Sequence, residues 1–270
     1  MSTAFLMALV LSAAPVDRDS HQSAASGPQP LVVWIQTDPW AMVIGADTPR
    51  LAVYDDGAQI CLETHDGAPP AYLAAKLSRA KLDEMRQHIL GLGSFEGLKR
   101  QYDLTRVTDQ PTAKFFLNLS EQGPVTTEVY GLMTRGIRLP AYTTSPTKDT
   151  PDRPPDSILL LHKYVTGLRC EGGTTWTPTA IEVMLWPYEY APDESIAWPR
   201  DWPGLTSPDA VRRGDSYSIY LAGTKLDDLR QLLRARKPKG ALALGGKKWA
   251  VSYRYVFPSE PVWSRAFRRQ

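Results

Sequence analysis

Two cysteines, four histidines and a formal net charge of +2 in 270 residues leave little material for several large classes of function. Cys61 and Cys170 stand too far apart to form a zinc ribbon, and His21, His65, His88 and His162 show none of the short spacings that zinc ligands use. No metal site and no cofactor are therefore expected. The near-neutral balance commits the chain to no polyanionic partner. Catalytic signatures are missing as well. The serine of Gly93-Ser94-Phe95-Glu96-Gly97 stands one place early for a nucleophile elbow. The stretch from Gly240 to Lys248 runs one residue out of register from a phosphate loop, with Lys248 where the magnesium-binding hydroxyl belongs, so Gly245-Gly246 reads as a hairpin turn. No apolar run approaches the roughly 20 residues that cross a bilayer.

What is present describes a folded protein rich in short elements. Hydrophobic residues make up 43% and charged residues 22%, far from the composition of a disordered chain. The 23 prolines and 8 tryptophans point to irregular loops between short runs and away from a helical bundle. Charge is unevenly spread, with twelve basic and three acidic side chains from Lys225 onward. Such asymmetry reads first as a solvated face balanced by the acidic remainder, and nucleic acid is not an expected partner.

At the N-terminus the apolar run Ala4 to Leu11 precedes Ser12-Ala13-Ala14, small residues of the kind a signal peptidase accepts. No Lys or Arg stands before it. Residues 1–14 are expected to be a secretory signal and residues 15–30 a disordered lead-in, which leaves no transmembrane segment in the mature chain. An oxidising compartment would permit one disulfide, Cys61 to Cys170. In the strand candidate Ala58 to Glu63, alternation sets Cys61 on one face with Gln59 and Glu63, the polar side.

From Leu31 the chain reads as strands (LVVWIQ, AMVIG, RLAVY, AQICLE), the last two joined at the hairpin signal Asp55-Asp56-Gly57. Ser78 caps a helix carrying Leu82, Met85 and Ile89, and two strands follow, Thr112 to Leu119 and Val125 to Tyr130. Residues 142–156 form a linker between a first half, 31–141, and a second, 157–270. The second half holds a helix from Asp156 to Gly167, strands at Ala180 to Trp186 and Tyr217 to Leu221, a helix capped by Thr224, and a closing hairpin. The fold class is α+β, mostly antiparallel sheet with a few packed helices. The segments Lys81 to Ile89 and Lys225 to Leu233 align without gaps and share five of nine residues. Two explanations stand for that echo: two related halves, or convergence on a generic amphipathic helix.

The phrases RLAVYDDG, YDLTRVTDQPTAKFFLNL and VYGL, between Arg50 and Leu132, resemble segments of uncharacterised exported bacterial proteins. The resemblance implies export and a coherent fold, and brings no activity with it. Asn118-Leu119-Ser120 matches a glycosylation sequon that matters only in a eukaryotic secretory pathway.

The densest aromatic segment runs from Trp176 to Trp202. There Trp176, Trp186, Tyr188, Tyr190, Trp198 and Trp202 alternate with prolines and with Glu182, Glu189, Asp193, Glu194 and Asp201. Rings beside carboxylates suit a glycan groove, and Trp packed on Pro suits an ordered structural loop. The ligand-binding candidates are Trp198, Trp202, Asp201 and Arg200. The expected function is an exported, non-enzymatic binding or structural protein of the bacterial periplasm or cell surface, with a glycan or another envelope protein as partner. The alternative is an envelope hydrolase acting on glycans through the carboxylates of residues 176–202. No catalytic residue is singled out.

Overall fold

In the computed structural model, residues 27–39, 48–64, 70–132 and 152–268 are described. The signal-like run, the strand expected at AMVIG and most of the linker lie outside them. Among the described residues there are four α-helices and two sheets, of eight and six strands, an α+β fold.

The larger sheet is built from β1 (Pro30–Thr37), β2 (Pro49–Tyr54), β3 (Ala58–Glu63), β4 (Ala71–Lys76), β5 (Gln101–Asp103), β6 (Thr112–Leu117), β7 (Val125–Tyr130) and β8 (Thr174–Thr175), in the order β5-β7-β6-β1-β2-β3-β4-β8. Helices α1 (Arg79–Gly91) and α2 (Asp156–Gly167) lie on one face. The other face packs Val33, Ile35, Tyr54 and Phe116 against Phe257 and against Trp263 of the last helix, α4 (Glu260–Arg268). Covering both faces explains why β1 and β2 are apolar almost throughout. It also corrects the reading of β3: Gln59 and Cys61, on the side taken as polar, are buried beneath the helices, and Ile60 is buried on the opposite side. Alternation marks an outer face only when one side of a sheet meets water.

The smaller sheet comprises β9 (Ala180–Pro187), β10 (Ile196–Ala197), β11 (Val211–Arg213), β12 (Ser216–Ala222), β13 (Leu242–Leu244) and β14 (Lys247–Val256), in the order β10-β13-β14-β9-β12-β11. Helix α3 (Leu226–Ala235) buries Leu226 and Leu229 in its core. These positions align with Leu82 and Met85, buried by α1, so the echoed residues do the same packing in both helices. Each sheet also has the first long strand of its half at its centre and the remaining strands on both sides.

Local signals explain several boundaries. Ser78 accepts the Lys81 N–H at 3.3 Å, capping α1. Gly57 turns the β2–β3 hairpin at φ +85°, where a Cβ would stand 2.6 Å from the Leu77 carbonyl oxygen. Gly245 and Gly246, at φ +62° and +75°, turn β13 into β14. Thr224 does not cap α3. It sits in a 3-10 turn, Gly223–Lys225, and the first turn of α3 instead carries Asp227 and Asp228, favourable at the positive end of the helix dipole.

The halves interlock in space. Helix α2 and strand β8, both after the linker, complete the larger sheet, and the chain returns to that sheet again with α4. At the junction, Tyr72 packs edge-on against Trp176, Tyr255 and Phe257 with ring centroids 5.4 to 5.8 Å apart, and the Tyr54 hydroxyl donates to the Pro258 carbonyl.

His162 on α2 lies within the core of the larger sheet, edge-on to Trp34 and Phe115, and its Nε2 has no hydrogen-bond partner. Burial pushes the imidazole down to about 4, so the core holds it neutral. The unfolded chain takes up that proton near the ordinary value, so stability falls as pH drops from about 6.5 towards 4, by about 3 kcal/mol in full. Urea unfolding at pH 7.5 and 4.5 is expected to show a loss about 2 kcal/mol larger for the wild type than for His162→Leu. Parallel losses would exclude the imidazole as the cause.

Candidate functional site

The aromatic segment is ordered, and its parts point in different directions. Trp198 is only 5% exposed, its indole N–H donates to the Pro203 carbonyl at 2.9 Å, and it packs in the core beneath α3. Trp202 is half-buried and stands edge-on to Trp198 at 5.2 Å, with the Lys225 ammonium 5.9 Å from its ring centroid. Arg200 and Asp201 are exposed beside it. Of the four expected ligand-binding residues, three therefore reach solvent and one is a packing residue. Tyr190, 82% exposed, is the most open ring of the segment, and Tyr188 stands edge-on to it at 5.3 Å.

Four of the five carboxylates are occupied locally, and Asp201 is exposed. Asp193 accepts the Lys239 N–H at 2.9 Å, Glu194 pairs with Lys237 at 3.3 Å, and Glu189 accepts the Lys248 N–H at 3.4 Å. Glu182 is buried in the middle of β9. Its Oε2 pairs with Arg254 at 2.5 Å, and its Oε1 accepts the Ser218 hydroxyl at 2.7 Å and meets Arg213 at 3.4 Å. Arg254 also pairs with Glu260 of α4 at 2.6 Å, so the cluster ties the smaller sheet to the helix that covers the larger one. A pair of acids flanking one scissile bond requires two carboxyl groups facing a shared gap. Here the acids are bound to separate strands and loops, and Glu182 is neutralised in place.

Two concave sites carry more structure than the aromatic segment. A cleft of about 230 Å³ opens between the sheets, walled by Tyr72, Tyr253 and Tyr255, with Thr48 and Arg254 contributing polar groups. Arg230 donates to the Tyr255 hydroxyl at 2.7 Å, fixing one wall. A larger groove of about 370 Å³ runs between α1 and α2. Its floor is Gln59 and Met85, and its sides carry Lys81, Glu84, His88, Tyr164, Arg169 and Glu171. The His88 and Tyr164 rings stack at 4.3 Å. Burial, with Glu84 nearby, holds the Tyr164 hydroxyl above its usual value.

Beneath this groove Cys61 and Cys170 form a disulfide, with Cα atoms 5.9 Å apart. Their expected pairing is thus present. Sequence reading did not select the groove residues, although Gln59, a polar residue flanked by apolar neighbours in β3, is the kind of misfit that marks one. Arg254, between Tyr253 and Tyr255 in β14, is a second such misfit, at the cleft between the sheets.

Among the described residues no group of three His, Cys, Asp or Glu side chains is placed to hold a metal ion, and no helix is long and apolar enough to cross a membrane. Comparison of the chain with family models, curated proteins and solved structures finds no match.

Proposed function

We propose that this chain works outside the cytoplasm, in the bacterial periplasm or at the cell surface, as a non-catalytic binding or structural protein whose partner is a glycan or another envelope protein. The observation that carries the reading is the dispersal of the acids in residues 176–202: Glu182, Glu189, Asp193 and Glu194 each serve a local backbone or cationic partner. The disulfide supports an oxidising compartment. Trp202, backed by the buried Trp198 and flanked by exposed Arg200 and Asp201, is the ring of this segment best supported for contact with a partner.

The test uses the oxidised chain with insoluble peptidoglycan and with soluble oligosaccharides, read by co-sedimentation and by release of reducing ends. The expected result is retention without release, weakened by Trp202→Ala. Reducing ends that disappear in Glu189→Gln or Glu194→Gln would overturn the reading in favour of a glycan hydrolase.

A further inference from the structure

We infer that the groove between α1 and α2 binds a small zwitterion, a compound of amino-acid size carrying one ammonium and one carboxylate. The inference rests on the reading of the chain as a binder and assigns it a site away from the aromatic segment.

The volume of about 370 Å³ falls in the range of small-molecule sites. Its floor carries one polar side chain, Gln59, beside Met85. Gln59 is 3% exposed, and a primary amide offers two N–H donors and two acceptor lone pairs. Its Nε2 makes one contact, 3.5 Å from the Arg169 carbonyl, at the limit of a hydrogen bond, and no partner for its side-chain oxygen is found among the described residues. That oxygen is not shut off from solvent, so a donor entering the groove can reach it.

The rim supplies charges of both signs. Lys81 and Glu84 come from α1, Arg169 and Glu171 from the turn after α2. Among the described residues none of the four forms an ion pair within 4.0 Å, with one another or with any other residue. Arg169 is instead held by donating to the Thr166 and Leu168 carbonyls at 2.9 Å, which fixes its guanidinium without cancelling its charge. A ligand of single charge is attracted by one pair and opposed by the other. A zwitterion uses both, and its polar body can reach the amide on the floor.

The disulfide makes the arrangement rigid. Cys61 is two residues from Gln59 on β3, and Cys170 stands between Arg169 and Glu171, so one covalent bond fixes the floor relative to half of the rim. Fixing a site before its ligand arrives lowers the ordering cost of binding.

The experiment is calorimetric titration of the oxidised full chain at low ionic strength with the common amino acids and simple dipeptides. At least one is expected to bind saturably at one site. Its N-acetyl and its amide derivatives should each bind at least about 10-fold more weakly, as should Gln59→Leu and the exposed Lys81→Met. Reduction of the disulfide should weaken binding in the same direction. If Gln59→Leu disturbs folding, as circular dichroism would show, Lys81→Met carries the test. Saturable binding lost on capping either terminus, and reduced in Lys81→Met, supports the inference. Absence of binding across the panel, or equal affinity for capped compounds or for Lys81→Met, overturns it. Retention on peptidoglycan in the companion assay would leave the binder reading standing when this site fails, and hydrolysis of glycan would defeat that reading without touching this one.

Discussion

Replacing Arg254 with leucine is expected to destabilise the protein by about 3–5 kcal/mol, the scale seen when one partner is removed from a buried ion pair. Arg254 faces Glu182 directly across the β14–β9 ladder, where its Nε donates to Oε2 at 2.8 Å. The guanidinium also holds Glu260, whose other carboxylate oxygen accepts the Phe257 N–H at 3.2 Å. The Glu182, Glu260 and Arg254 side chains are 2%, 11% and 13% exposed, so little water is available to replace a lost partner. Leucine would leave two carboxylates with most of their neutralising charge gone. The attraction within such a cluster largely repays its own desolvation, so replacing all three residues by leucine should cost much less than replacing arginine alone. Urea unfolding of the two variants measures the difference. A single variant within about 1 kcal/mol of wild type, or a triple variant as damaged as the single, would show that packing and not charge governs this junction.

Loss of the disulfide should have an effect of similar size. The bonded cysteines are 109 residues apart, and closing a loop of that length restricts the unfolded chain by about 4–5 kcal/mol in the chain-entropy account. The bond also anchors the segment after α2 to β3, beneath both helices of the larger sheet. Unfolding the same wild-type preparation with and without reductant measures this without introducing a buried serine. A shift of less than about 1 kcal/mol would mean that the packing of α1 and α2 already holds the two segments together.

Much of this architecture is legible where a local rule decides the outcome. Asp55-Asp56-Gly57 and Gly245-Gly246 place two hairpins, Ser78 places the start of α1, and the periodicity from Asp156 to Gly167 places α2. An even cysteine count suggested the bond that is found. Elements that depend on distant partners are harder to read. Ala71–Lys76 is rich in helix-forming residues and is nevertheless a strand, because β3 pairs along its whole length. The short strands β8 and β10 exist only as additions to neighbours already in place. Helix α4 was within reach, since Ser259-Glu260-Pro261 has the composition of a helix start and Trp263 and Phe267 lie four apart on one face.

The candidate sites show the same division. The cluster of aromatics between Trp176 and Trp202 is obvious in the sequence, but which rings face the core depends on the pairing of β10 beside β13, and Trp198, just after that pairing, falls on the core side. The α1–α2 groove brings Gln59 and Lys81 together with Tyr164 and Glu171, which lie more than 80 residues further along the chain. Only the cysteine pair, which brackets it, hinted at that proximity.

We propose that this protein works in an oxidising space outside the cytoplasm. The intact mass of the native protein, taken from an envelope fraction of its own cells without reductant, tests that claim most directly. The expected mass is that of a chain beginning at or near Pro15 with the two cysteine hydrogens missing. A chain beginning at Met1 with both thiols free, recovered from the cytoplasm, would contradict it.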